Sequence, residues 1–128
     1  MKEDSSKAET ASATSRRKQR CYPRHPLDVR MTVTVSRPTG VSHLWGRSSE
    51  LGQDGIGGTL TGDLEPGEVV SMEMQLPLSA KPLKLRAIVR YRHGLHYGFE
   101  FLTVTDDQRS AIQRVCHMLS ATSSSDSA

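Results

Sequence analysis

Arg20 and Arg24 stand four residues apart in the segment Arg20-Cys21-Tyr22-Pro23-Arg24. A guanidinium carries a planar fork of donors that matches phosphate and the O6/N7 edge of guanine, and it also stacks on aromatic bases. Two such forks on a short stretch could clamp a small anionic nucleotide. They could equally cap carboxylates on the surface. Pro23 and Pro26 exclude a regular helix here, so the segment is extended or turned. The second chemically suggestive stretch is Glu50-Leu51-Gly52-Gln53-Asp54-Gly55-Ile56-Gly57-Gly58, with four glycines in nine residues. That density implies positive φ or a close backbone approach. It is no phosphate loop, because no Gly-Lys-Ser/Thr follows and no long helix succeeds it. A tight turn or bulge in a barrel is its plainer reading.

The remaining reactive types form no constellation. His93 and His96 flank a hairpin tip, where they are expected to point in different directions, and no acid or cysteine sits at ligand spacing nearby, so no metal site is expected. Met72 and Met74 share a strand face and read as core. Cys116 reads as a small buried hydrophobe rather than a nucleophile. Cys21 and Cys116 are the only cysteines and lie at opposite ends of the chain, which suits neither a disulfide framework nor a zinc motif. No Ser, His and acid arrangement and no paired carboxylates stand out, so no catalytic residue is assigned and an enzyme is disfavoured.

The chain has 128 residues and a formal net charge of +3, with 17 basic and 14 acidic residues. Residues 16–24 hold Arg16, Arg17, Lys18, Arg20 and Arg24 and no acid, so the other residues carry 12 basic against 14 acidic groups. The basic excess thus belongs to one segment, which suits a compact anionic ligand or one anionic edge of a partner better than general nucleic-acid affinity. No apolar run approaches the length of a membrane span and Met1–Gln19 has no apolar centre, so a cytoplasmic protein is expected.

The elements that must position these groups are mostly strands. Residues 1–15 and 120–128 lack large apolar side chains after Met1 and are expected to be disordered tails around one domain over 16–119. Val29, Met31, Val33 and Val35 alternate with polar residues, the period of a half-buried strand. Residues 41–49 form a weaker strand candidate and Thr59–Thr61 a short one. Val70–Leu76, Leu83–Tyr91 and Tyr97–Phe101 alternate clearly, with Tyr91 grouped among the inward residues and His93-Gly94 as a hairpin signal. Ile112, Val115, Cys116 and Leu119 follow helical spacing, and Thr105 or Asp106 can cap a helix from about Asp107 to Leu119. Six short antiparallel strands and one helix suggest a small barrel.

In this order the segments resemble the PilZ domain family over about residues 16–119. PilZ domains open with Arg-x-x-x-Arg, matched by Arg20 to Arg24, and continue to an Asp/Asn-x-Ser-x-x-Gly motif, whose place is taken by Glu50-Leu51-Gly52-Gln53-Asp54-Gly55. A return strand like Tyr97-Gly98-Phe99-Glu100-Phe101-Leu102 and a helix near Gln108-Arg109 complete the match. The resemblance implies an all-β fold, a six-stranded antiparallel β-barrel with a C-terminal α-helix, and a bacterial receptor for the second messenger cyclic di-GMP, with no cofactor. By position, Arg20 and Arg24 would engage phosphates and guanine, Glu50 would take the acid's place at a guanine edge, and Gly55 would keep the turn. Arg16 and Arg17 are auxiliary candidates, since Arg16 to Arg20 also fits the first motif.

The second motif departs from the family twice. Glu50 is one methylene longer than Asp. Gly52 removes the Ser hydroxyl, a loss of roughly 10–100-fold in affinity if its bond to a charged group is worth ~1.5–3 kcal/mol; the Gly52 backbone N–H is the expected substitute. A nucleotide-independent adaptor acting through a protein partner is therefore the rival function. A barrel binding single-stranded RNA or DNA is a third, weakened by the scarcity of aromatic platforms, with Trp45 the sole tryptophan.

Overall fold

The computed structural model describes residues 22–127, with side chains for 22–121. Its strands are β1 (His25–Pro26), β2 (Arg30–Arg37), β3 (Gly40–Leu51), β4 (Gly55–Leu60), β5 (Val69–Met74), β6 (Leu83–His93) and β7 (His96–Thr103), followed by helix α1 (Asp106–Ser127). The sheet order is β1-β3-β2-β5-β6-β7-β4, and a further β3–β4 pairing closes it. Strands β2 to β7 therefore form the expected six-stranded antiparallel barrel, and β1 is an added strand outside it. Among the described residues no helix is long and apolar enough to cross a membrane.

Period-2 patterning fills the interior. Met31, Val33 and Val35 of β2, Val70, Met72 and Met74 of β5, Leu83, Leu85, Ala87 and Val89 of β6, and Tyr97, Phe99 and Phe101 of β7 are all buried. From α1, Ile112, Val115 and Cys116 complete this core. Tight turns close the hairpins. Gly94 takes φ +63° as the first of two loop residues between His93 and His96. In Glu65-Pro66-Gly67-Glu68, Gly67 takes φ +96° and Glu68 N–H donates to the Glu65 carbonyl at 3.1 Å.

Bulges decide where alternation changes phase. In β3, Leu44 and Ser48 are buried, but so is Leu51. The register steps from Ser48 opposite Gly58 to Glu50 opposite Gly57, so one extra residue sits in β3. In β6 the register steps from Val89 opposite Phe99 to Tyr91 opposite Gly98. That step turns Tyr91 to the outer face, not inward as alternation suggests. His93 and His96, being direct cross-strand partners, share a face instead of diverging, and both rings lie within 6.0 Å of Tyr91.

Three other boundaries differ from the sequence pattern. The weak candidate 41–49 is the longest strand, because its inner positions include Gly46 and Ser48, which hide the alternation. Strand β4 begins within the glycine-rich stretch, at Gly55 rather than Thr59. Helix α1 starts with a reciprocal cap, in which Gln108 N–H donates to Thr105 Oγ1 at 3.1 Å and Thr105 N–H to Gln108 Oε1 at 3.0 Å. It continues past Leu119 to Ser127 into residues expected as a tail. No Gly or Pro stands there to stop it, and each added residue gains a backbone bond.

Arg37, at the β2–β3 corner, grips Glu68 through two bonds of 2.9 and 2.8 Å, tying that corner to the 65–68 turn. The Arg37 bonds, with the Glu65 N–H, hold the Glu68 carboxyl below its ordinary range. A lowered folded value means that the stabilisation is full at neutral pH and is lost as pH falls through that value. Glu68→Gln is expected to cost about 1 kcal/mol at pH 7 in urea unfolding, with the gap to wild type closing in acid as pH falls through the lowered Glu68 value. An equal gap in acid would show that the pair does not tie these turns.

Candidate functional site

Strand β1 prolongs the β2 ladder along one edge of β3. His25 pairs with Leu51 and Pro26 with Glu50, and Leu27 N–H donates to the Ser49 carbonyl at 3.2 Å. The buried Ser48 hydroxyl fixes the link, accepting from Val29 N–H at 3.0 Å and donating to the Leu27 carbonyl. Sequence reading missed this serine; a lone hydroxyl among inward strand positions was its only signal. The pairing lays Arg24 across the turn that joins β3 to β4.

Close approach explains the glycines there, since among the described residues neither Gly52 nor Gly55 has positive φ. A Cβ on Gly52 would lie 2.8 Å from Arg24 Cδ and 3.0 Å from its Nε. A Cβ on Gly55 would lie 2.2 Å from the Phe99 carbonyl oxygen. Gly52 is thus the floor under the arginine, and Gly55 lets the turn meet β7. The Gly52 N–H already donates to the Gly55 carbonyl at 2.9 Å. It is therefore spent within the turn, contrary to the expectation that it replaces the missing serine.

Arg24 lies between two carboxylates. Its Nη1 is 3.8 Å from Glu50 Oε2 and its Nη2 is 3.7 Å from Asp54 Oδ1. The arginine side chain is only 15% exposed, while Glu50 and Asp54 are 32% and 36% exposed. Both separations are ion-pair contacts too long for good hydrogen bonds. Among the described residues, Arg24 Nε and Asp54 Oδ1 are buried with no hydrogen-bond partner. The triad carries one positive and two negative charges. Cys116 lies close enough to sense it: burial pushes the thiol up, Asp54 adds to that rise and Arg24 opposes it.

A cavity of about 680 Å³ opens beside the triad, with Arg24, Asp54, Arg90, Tyr91, Gly98 and Glu100 in its walls. Arg90 Nε bonds Glu100 Oε1 at 2.6 Å across β6 and β7. Tyr91 lies flat over Gly98, where a Cβ would come within 2.0 Å of the ring. Of the residues proposed from sequence, Arg24, Glu50, Gly52 and Gly55 are brought together. Arg16, Arg17 and Arg20 lie outside the described residues. Asp54 was not singled out, although an acid inside a glycine turn was visible.

These features define a small closed β-barrel with an arginine-centred polar pocket at its rim. A family model described as the PilZ domain matches residues 16–117, and the chain belongs to that family. The PilZ domain of CeSA from a cellulose-synthesizing bacterium is similar, with 17% identity, TM-score 0.59, and coverage of 77% of this chain and 98% of that one. The PilZ domain with c-di-GMP of YcgR from Escherichia coli shows 17% identity, TM-score 0.62, and coverage of 85% and 97%. The Bacillus subtilis inhibitor of motility MotI shows 16% identity, TM-score 0.64, and coverage of 81% and 52%, so this chain spans about half of it. At such identities the likeness concerns the fold. No curated protein sequence matches the chain.

Gly52→Ala is expected to unseat Arg24 while leaving the barrel closed, because the methyl group would meet Arg24 Cδ at 2.8 Å and the Pro23 carbonyl oxygen, in the same outer segment, at 3.2 Å. The cost in stability should stay below about 1 kcal/mol, while the Arg24 Nε–H signal in NMR gains solvent exchange. An unchanged signal would mean that Gly52 is not the arginine's floor.

Proposed function

We propose that this PilZ domain is a non-enzymatic receptor for cyclic di-GMP. The observation that carries the reading is the convergence of the two motif fragments. Strand β1 brings Arg24 onto the Glu50–Gly55 turn, beside a cavity of about 680 Å³. The Arg24 side chain lines that cavity and its Nε has no partner among the described residues, so the guanidinium has donor capacity left for an acceptor. Phosphate oxygens and guanine O6 or N7 both supply one. The basic run Arg16, Arg17, Lys18 and Arg20 precedes Arg24 directly and adds the positive charge that a diphosphate ring requires. In this reading Arg20 closes on the ligand with Arg24, and the change in that segment alters the surface offered to a protein partner. The YcgR PilZ domain, whose structure contains c-di-GMP, shares the barrel and supports the reading.

A second reading, the nucleotide-independent adaptor, is favoured by one observation. Arg24 already has two carboxylates beside it, and the turn offers neither a serine hydroxyl nor a free Gly52 N–H. Titration calorimetry with cyclic di-GMP separates the two. The receptor reading expects saturable binding that Arg24→Ala weakens about 10–100-fold. It expects Arg20→Ala with Arg24→Ala to remove binding. No heat, together with unchanged amide shifts at high ligand, would assign the domain to the adaptors.

A further inference from the structure

Resting on the receptor reading, we propose that Asp54, and not Glu50, is the carboxylate that reads the donor edge of guanine. The family pattern puts the acid at the first motif position, occupied here by Glu50. Yet Glu50 folds back over β4: its Cγ and Oε2 stand 3.2 and 3.3 Å from where a Gly57 Cβ would be. It forms no part of the cavity wall. Asp54 lines that cavity with Arg24. It also lines the smaller one beside it, with Tyr22, Gln53 and Arg109.

The orientation of Asp54 suits the role. Its Oδ1 is buried toward Arg24, while the side chain as a whole is 36% exposed. The outer edge of the carboxylate therefore faces the open side. Its own backbone is held apart from this chemistry, since the Asp54 carbonyl accepts from Phe101 N–H at 2.9 Å. The outer edge of the carboxylate can act as an acceptor on a frame fixed by β7.

Charge decides what the edge accepts. Arg24, Glu50 and Asp54 together carry a net −1, and Arg90 with Glu100 carries none. A phosphate placed here meets no net attraction. A neutral base edge with two adjacent donors does, and guanine presents N1–H and N2–H2 side by side. Arg24, directed at O6 or N7 of the same base, completes a two-sided reading. Adenine offers a lone pair at N1 where guanine has a proton, so the same carboxylate repels it. Asp54 thus rejects as well as selects.

The test is calorimetric titration of wild type, Asp54→Ala, Asp54→Asn and Glu50→Gln with cyclic di-GMP and cyclic di-AMP, each variant first checked by its thermal melt. Asp54→Ala is expected to weaken cyclic di-GMP binding about 10–100-fold. Wild type should prefer cyclic di-GMP over cyclic di-AMP, and Glu50→Gln, which keeps the Asp54 carboxylate, should retain that preference. Asp54→Asn, which keeps the size and loses the charge, is the control if the alanine variant melts early, and it should narrow the preference between the two nucleotides. Unchanged or tighter cyclic di-GMP binding by the Asp54 variants would overturn the assignment and leave the receptor reading standing. Absence of binding by wild type would sink both.

Discussion

A single extra residue in β3, between Ser48 and Glu50, decides which way the rim of this barrel faces. Up to Ser48 the even-numbered positions point inward; beyond it Leu51 does. Without the insertion Glu50 would be driven into an apolar interior, where a lone carboxylate is strongly disfavoured. With it, Leu51 fills the core, Glu50 lies on the outside over Gly57, and the following turn is carried out to meet Arg24. On the other edge of β3, the 25–29 segment continues the ladder that β2 leaves. The core and the polar rim therefore answer to one local change of phase.

The rim is electrostatically underfilled rather than neutral. Arg24 is largely sheltered from water yet has no short hydrogen bond to either neighbouring acid. Buried donors are nearly always satisfied in folded proteins, so an orphan on a guanidinium marks a place where structure has been left for another molecule or for water. The nearby Arg90–Glu100 pair, at 2.6 Å, shows the contrasting case of a cation already matched on a solvent-exposed face. Two arginines in one cavity wall thus have different capacities to receive something new.

Much of the barrel was legible in the sequence because β2, β5, β6 and β7 alternate with few exceptions. Strand β3 was faint for a physical reason. Gly46 must be small, since a Cβ there would lie 1.8 Å from the Thr59 carbonyl oxygen, and Ser48 is needed for its hydroxyl. Neither residue looks hydrophobic, although both positions belong to the inner face. The bulges left no signature in residue type, which is why Tyr91 was placed on the wrong side. At the site, Arg24 and Gly52 were recognisable through the order of the family's motifs, but their contact was not. It arises from a two-residue strand too short to show any period. Asp54 escaped notice because the family pattern is indifferent at its position, and only the cavity beside it shows what it faces.

Closure of the sheet has one more consequence, for association between chains. An open sheet edge offers unpaired N–H and C=O groups on which another strand can grow. Here β3 and β4 join the ends of the sheet, so no barrel strand is an edge along its whole length, although residues 40–44 of β3 pair with β2 alone. Strand β1, outside the barrel, is two residues long and contains Pro26, a residue with no N–H to offer. Strand addition in the folded state is thereby confined to short stretches. A protein that docks on this domain must rely mainly on its side chains and contours, because the backbone leaves only short stretches to pair with.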